Sequence, residues 1–155
     1  MVNKDKLNFL KTDFITLLKQ LKGDEKPKWG VMSAQQMIEH MGGSFLNAAG
    51  IIKIAQATPN EQLPAFKSFM MSDKEFRPKT KNPTLSENGY PLQFSDIPTA
   101  IAKLEKAIVR FENHFAADPN KTELNAIFGE LNFEEAVQLL YKHSRHHLRQ
   151  FALIE

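Results

Sequence analysis

The sequence predicts an all-α fold, a four-helix bundle with one long connection between its second and third helices. Three observations carry that expectation. Apolar residues recur at spacings of three and four along four separate stretches, as amphipathic helices require. Two of those stretches open on a capping box, in which a Ser or Asn and a Gln or Glu three residues later satisfy each other's backbone N–H. Between the second and third stretches, residues 57–94 hold Pro59, Pro64, Pro78, Pro83 and Pro91 and little helical periodicity.

Helix one is expected over residues 3–22, on the stripe Leu7, Leu10, Phe14, Leu17, Leu18 and Leu21, with Gly23 as its stop. Ser33 and Gln36 form the capping box of helix two, whose stripe runs through Met37, Met41, Phe45, Ala48 and Ile52. Gly42 and Gly43 inside it each cost about 1 kcal/mol relative to Ala, and allow either a close helix contact or a kink. The connection that follows should hold one short helix at Leu63, Phe66, Phe69 and Met70. A loop this long inside one domain is a crossover or a functional element. Its basic run, Lys74, Arg77, Lys79 and Lys81, reads first as solvated loop and second as an anion or partner contact. Helix three starts at Ser95 or Asp96, follows Ile97, Ile101, Leu104, Ile108, Phe111 and Phe115, and ends at Asp118-Pro119. Helix four starts at the Asn132–Glu135 capping box and runs almost to Glu155, on Ala136, Leu139, Leu140 and Phe151. Short links favour antiparallel pairs of helix one with two and of three with four.

The composition narrows the function. At 155 residues, 42% hydrophobic and 25% charged, the chain is expected to be a single domain over residues 1–155. Twenty Lys and Arg against eighteen Asp and Glu leave a net charge of +2, too balanced for a nucleic-acid or anionic-membrane surface. There is no Cys, which excludes disulfides, thiolate metal sites and a cysteine nucleophile. No signal peptide or membrane-spanning run is visible, so the expected compartment is cytoplasmic.

Chemistry points to the histidines, His40, His114, His143, His146 and His147. His143 and His147 are four apart, one helical turn, and continue the stripe of Ala136, Leu139 and Leu140. Both imidazoles should face the interior, where a pair of neutral rings can grip Zn²⁺ or Ni²⁺. A lone half-buried His is more often a satisfied core residue, but burying two without a partner is costly. His40, one turn beyond Met37 on helix two, is the natural third ligand. Three His with an open fourth position form a catalytic type of coordination sphere. His146 reads as surface or as support for the ligands, and His114 as surface. The metalloprotease His-Glu-x-x-His, the Glu-x-x-His of di-iron bundles, the P-loop, the Gly-x-Ser-x-Gly elbow and the dinucleotide fingerprint are all missing.

Two blocks carry a resemblance. Residues 29–40 read Trp-Gly-Val-Met-Ser-Ala-Gln-Gln-Met-Ile-Glu-His. Near the end come Phe128-Gly129-Glu130-Leu131 and the run from Tyr141 to Phe151, with its His-x-x-His-His-x-x-Gln. With them the chain resembles the DinB/YfiT-like metalloenzyme superfamily, in particular a bacterial branch described as a domain of unknown function. The resemblance implies an up-down-down-up four-helix bundle and a divalent metal held by His40, His143 and His147. It also implies that Gln150 hydrogen-bonds a ligand and orients it. Trp29 belongs to the branch's motif, but plugging the bundle end is the preferred explanation for it. The branch often carries a His-Pro before the Phe-Gly, where this chain has Asn125-Ala126-Ile127.

Two functions follow as expectations. The first is a metal-dependent enzyme acting on a small molecule, either a thiol-dependent transferase, as in characterised relatives, or a metal-assisted hydrolase. With no Cys in the chain, a low-molecular-weight thiol would have to arrive as a cosubstrate. For hydrolysis, Glu39 is the nearest carboxylate in sequence to serve as base. The second is a non-catalytic interaction bundle with a structural or vestigial metal site. Exposed parts of Phe66, Phe69 and Met70 are candidates for a homodimer contact.

Overall fold

The first apolar stripe forms two helices rather than one. In the computed structural model, which describes residues 3–78 and 91–155, α1 (Lys4–Lys11) and α2 (Asp13–Leu18) are separated by Thr12. Thr12 leaves helical geometry at φ −122°, ψ −75°, and its hydroxyl donates to the Asn8 carbonyl at 2.8 Å. Such a bond back along the chain competes with the backbone ladder and bends or breaks a helix. Leu10, Phe14, Leu18 and Leu21 are nonetheless all buried, so the stripe survives the break.

Helix α3 (Ala34–Ala48) begins as expected, with Ser33 and Gln36 satisfying each other's backbone N–H. It ends earlier than the stripe suggests. Gly50, at φ +74°, donates to the Asn47 carbonyl, and Ile51 donates to the Leu46 carbonyl at 2.9 Å. This pair of bonds is a Schellman motif, which needs a left-handed residue where Gly50 stands. Ile52 is therefore outside the helix and exposed.

The connection contains the expected short helix, α4 (Leu63–Met71), after a 3-10 turn at Asn60–Gln62. Met70 on it is fully buried, which removes it from the candidates for a homodimer contact; Phe66 is exposed. Helix α5 (Ile97–Ala116) is capped by Asp96, which accepts from the Thr99 N–H at 2.8 Å, and all six residues of its predicted stripe are buried. Helix α6 (Phe133–Gln150) starts at the Asn132–Glu135 capping box.

One element departs from the all-α expectation. Strands β1 (Glu123–Asn125) and β2 (Gly129–Leu131) form an antiparallel hairpin, with Leu124 opposite Glu130. Its turn is built by Asn125, whose Oδ1 accepts from the N–H groups of Ile127 and Phe128. The Ala126 carbonyl at the tip accepts from Ala57 and Thr58, so the hairpin anchors the start of the long connection. The described residues are thus mostly helical with one small sheet, and none of their helices is long and apolar enough to cross a membrane.

Packing is most extensive between α3 and α5, then between α1 and α6, not within the expected pairs of first with second and third with fourth helix. The partners run in the same direction. Gln35 reaches the Phe94 carbonyl, Gly42 faces the Leu104 backbone and Phe45 packs on Phe111, so position advances together along both chains. Similarly, Lys6 bonds Gln138 and Phe9 packs on Tyr141. Helices α3 and α6 run oppositely, with Trp29 near Gln150 and His40 near His143. Parallel neighbours α3 and α5 require a connection that travels the length of the molecule, and this is why residues 57–94 are so long.

That connection is fastened to one flank of α6. The Lys142 ammonium, buried, donates to the carbonyls of Phe69 (2.7 Å) and Ser72 (3.2 Å) and lies 4.4 Å from the centroid of the Phe69 ring. Gln138 donates to the carbonyls of Met70 and Ser72. A cation and an amide thus satisfy the open carbonyls at the end of α4, where the helix dipole is negative.

Candidate metal centre

Three histidines converge where α3 crosses α6. His40 comes from α3, at the edge of its apolar face; His143 and His147 come from successive turns of α6. The Nε2 atoms of His40 and His143 lie 3.0 Å apart, and those of His143 and His147 lie 2.9 Å apart. One nitrogen from each of the three rings lies within 4.8 Å of the others. The pattern of Met37, His40 and Met41 on one helix and Leu139, His143 and His147 on the other brings this about. Each His follows the apolar stripe by one turn, so folding the core places both sets together.

The protonation of this cluster is constrained. Gln150 donates through Nε2 to the Trp29 carbonyl at 3.0 Å, so its Oε1 faces His147 Nδ1, 2.7 Å away. His147 must then carry its proton on Nδ1 and present a lone pair at Nε2. His143 Nε2 has to supply the proton for that contact, and cannot also accept one from His40. A single proton serves two close nitrogen contacts. A divalent cation resolves this, because it takes three lone pairs at once, and Zn–N bonds of about 2.0–2.1 Å in tetrahedral geometry place ligand nitrogens about 3.3 Å apart. The donor set and its spacing fit such an ion with a small outward adjustment.

Burial keeps the rings in the ligand form. It pushes the His40 pKa down to about 4, with the charge of His146 as a smaller cause. His143 is held well below the usual histidine range by burial, then by His147, His40 and His146. His147 is lowered likewise by burial and His40, with the Gln150 hydrogen bond opposing. All three are neutral near pH 7 and need lose no proton charge to bind a metal.

The surroundings correct several expectations. Glu39 is not beside the cluster's nitrogens: its carboxylate accepts from Gln35 Nε2 and from the backbone N–H groups of Gln93 and Phe94, and so ties the end of the connection to α3. It is occupied as a structural acceptor and is set aside as a base. His114 is half-buried rather than free on the surface, with Nε2 2.8 Å from Glu123 Oε1. His146 packs on His147 (5.1 Å between ring centroids), on Trp29 (5.3 Å) and on Phe76 (6.4 Å). Trp29 therefore does more than close the bundle end. Its carbonyl fixes Gln150 and its indole walls His146. Gly30, at φ +75°, leaves room for this, because a Cβ there would lie 3.3 Å from Gln150 Nε2. Of the basic run, Lys79 and Lys81 lie outside the described residues.

Sequence reasoning overlooked Glu75, which pairs with Arg145 and Arg149 of α6. No local signal could have joined residues 70 positions apart. Two surface cavities, one near Lys19, Gln35 and Ile97 and one near Asn47, Lys53 and Glu123, have no histidine of the cluster in their linings.

A family model described as the DinB superfamily matches residues 12–151, nearly the whole chain. The chain belongs to the DinB superfamily. The match takes in His40 at one end and the His143–Gln150 block at the other. No curated protein and no solved structure gives a significant match to this DinB-superfamily chain.

Proposed function

We infer that this DinB-superfamily protein is a metal-dependent enzyme in which His40, His143 and His147 hold one divalent ion, Zn²⁺ or Ni²⁺. The observation that carries the reading is the trio of converging Nε2 atoms, neutral and one proton short. The parallel courses of α3 with α5 and of α1 with α6 support the up-down-down-up bundle that the family resemblance implies. When bound, the ion would supply Lewis acidity and lower the pKa of a water or thiol at its open position. The chain's own residues do the rest. Gln150 holds His147 in the tautomer that ligates, and the Trp29 carbonyl holds Gln150. His147 is buried, and His40 and His143 keep part of their residue surface exposed.

The substrate class is a small molecule, with a low-molecular-weight thiol as the reactive group in a transferase or a water in a hydrolase. The absence of Cys means that any thiol is delivered from outside. Elemental analysis of untagged protein purified without chelators tests the site, beside a His143→Ala, His147→Ala double variant. About one zinc or nickel per chain is expected in the wild type and none in the variant. Metal absent from both, even after incubation with Zn²⁺ or Ni²⁺, overturns the reading and leaves a non-catalytic bundle.

A further inference from the structure

Gln150 presents its Oε1 to His147 because its Nε2 is taken by the Trp29 carbonyl, 3.0 Å away. Trp29 lies on the irregular link between α2 and α3, where no helical ladder sets the direction of a carbonyl. Its place is set by α6. The Lys28 N–H donates to the Gln150 carbonyl at 2.8 Å, and the Trp29 indole packs on His146 with ring centroids 5.3 Å apart.

His146 and Gln150 are four residues apart, so they stand one turn above the other on one face of α6. With 3.6 residues per turn, that face adjoins the one bearing His143 and His147. The His146 and His147 rings meet edge to face at 5.1 Å. Trp29 thus spans two turns of one face, its carbonyl on Gln150 and its indole on His146. The contacts close a circuit, from His147 through Gln150, Trp29 and His146 back to His147. One residue joins this circuit from the long connection. Phe76 packs edge-on against the His146 ring at 6.4 Å, stacks on Phe128 of the hairpin turn at 6.0 Å and packs on Phe69 of α4. Its neighbour Glu75 pins the same segment to Arg145 and Arg149.

We propose that His146 is a positioning residue of the metal centre. Braced by Phe76 of the connection, it seats the Trp29 indole, and Trp29, through Gln150, fixes the tautomer in which His147 ligates. The proposal rests on the metal reading above and gives the long connection a part in it. His146 acts by the shape of its ring, which fills the space between Trp29, Phe76 and His147, and not by its charge. A residue that touches no ligand nitrogen, Phe76, should therefore tune the metal as well.

The first readout needs no metal. Long-range proton–nitrogen correlation spectra of the metal-free protein report which ring nitrogen of His147 carries the proton, and the wild type should show it on Nδ1 alone. His146→Ala should give a mixture of tautomers, and Phe76→Ala a smaller change in the same direction. His146→Phe keeps a flat ring against Trp29 and should restore the wild-type pattern. The second readout is Zn²⁺ affinity by chelator competition. His146→Ala should weaken it about tenfold, the scale of a lost support to a ligating His. Added to Gln150→Ala it should weaken it no further, because both act through one hydrogen bond. Circular dichroism confirms the fold of each variant, and Phe76→Ala carries the test if His146→Ala does not fold. An unaltered tautomer and affinity in His146→Ala or in Phe76→Ala overturns the proposal, as do His146 and Gln150 losses that multiply in full. A His146→Phe protein as impaired as His146→Ala overturns it too, since ring shape is then not what counts. Wild-type protein that takes up no Zn²⁺ overturns the metal reading as well, whereas Zn²⁺ held equally by every His146 and Phe76 variant overturns this proposal alone.

Discussion

Divided after Lys142, the two parts of α6 treat their polar groups differently. In the first half, Gln138 and Lys142 spend their donors on the carbonyls of Met70, Phe69 and Ser72, and are satisfied. In the second half, His143 and His147 share too few protons with His40, and His146 and Arg149 keep buried nitrogens with no partner. Buried polar groups ordinarily find partners, because each one left alone costs about 1–3 kcal/mol. A satisfied group fastens one element to another. The three histidines of an under-protonated cluster could instead hold a metal ion.

Acid should separate the halves most strongly. The histidines of the second half have folded pKa values depressed below the ordinary 6.5, to about 4 for His40. Between these values the unfolded chain binds more protons than the folded one, so stability rises with pH through that window. It is fully present above about pH 6.5 and is lost as pH falls toward 4, by about 1.4 kcal/mol per pH unit for each such group. Thermal melts of metal-free protein should drop steeply between pH 6.5 and 5, and those of metal-loaded protein should drop less. Equal drops would mean that no ion protects the cluster.

Lys142→Ala addresses the satisfied half. It removes one donor from the carbonyls of Phe69 and Ser72, which keep Ser72 and Gln138 as partners, and opens space beside Phe69 and Phe76, at an expected cost of about 1–2 kcal/mol in urea unfolding. Metal content should stay the same, because no ligand bonds to Lys142. Gln150→Ala gives the reverse pattern. Without its amide, His147 is free to change tautomer, and metal affinity should fall about 10–100-fold in chelator competition, with only a small change in metal-free stability. An unchanged affinity would show that Gln150 does not orient the ligand.

The smallest effect is expected on the face of α3 turned from this contrast. A Cβ at Gly43 would meet nothing within 4 Å, so Gly43→Ala should stabilise the helix by about 1 kcal/mol. At Gly42 the same Cβ would lie 4.0 Å from the Leu104 backbone, an ordinary contact, so the packing of α3 on α5 does not require that glycine. Differential scanning calorimetry of Gly43→Ala at neutral pH measures the gain, and metal content should be unaffected.

The sequence by itself determined what depends on neighbours a few residues away. Ser33 with Gln36, Asp96, and Asn132 with Glu135 place the helix starts, because capping bonds span only three residues. The i, i+4 spacing of His143 and His147 on the apolar stripe places two ligand candidates on one face for the same reason. Thr12 and Gly50 were readable in principle, yet an apolar stripe that continues past a break hides it. Only the tertiary structure decided the rest. Each strand of the hairpin has three residues, too short to show alternation, and is held by a turn and by pairing rather than by propensity. Glu39 belongs to the connection because Gln93 and Phe94 return to it, and Glu75 meets Arg149 because Lys142 and Gln138 fasten α4 alongside α6. Bonds between residues more than fifty positions apart leave no trace in local pattern. Their partners are chosen by which helices pack together, and it was the parallel packing of α3 on α5 that set the long connection across the flank of α6.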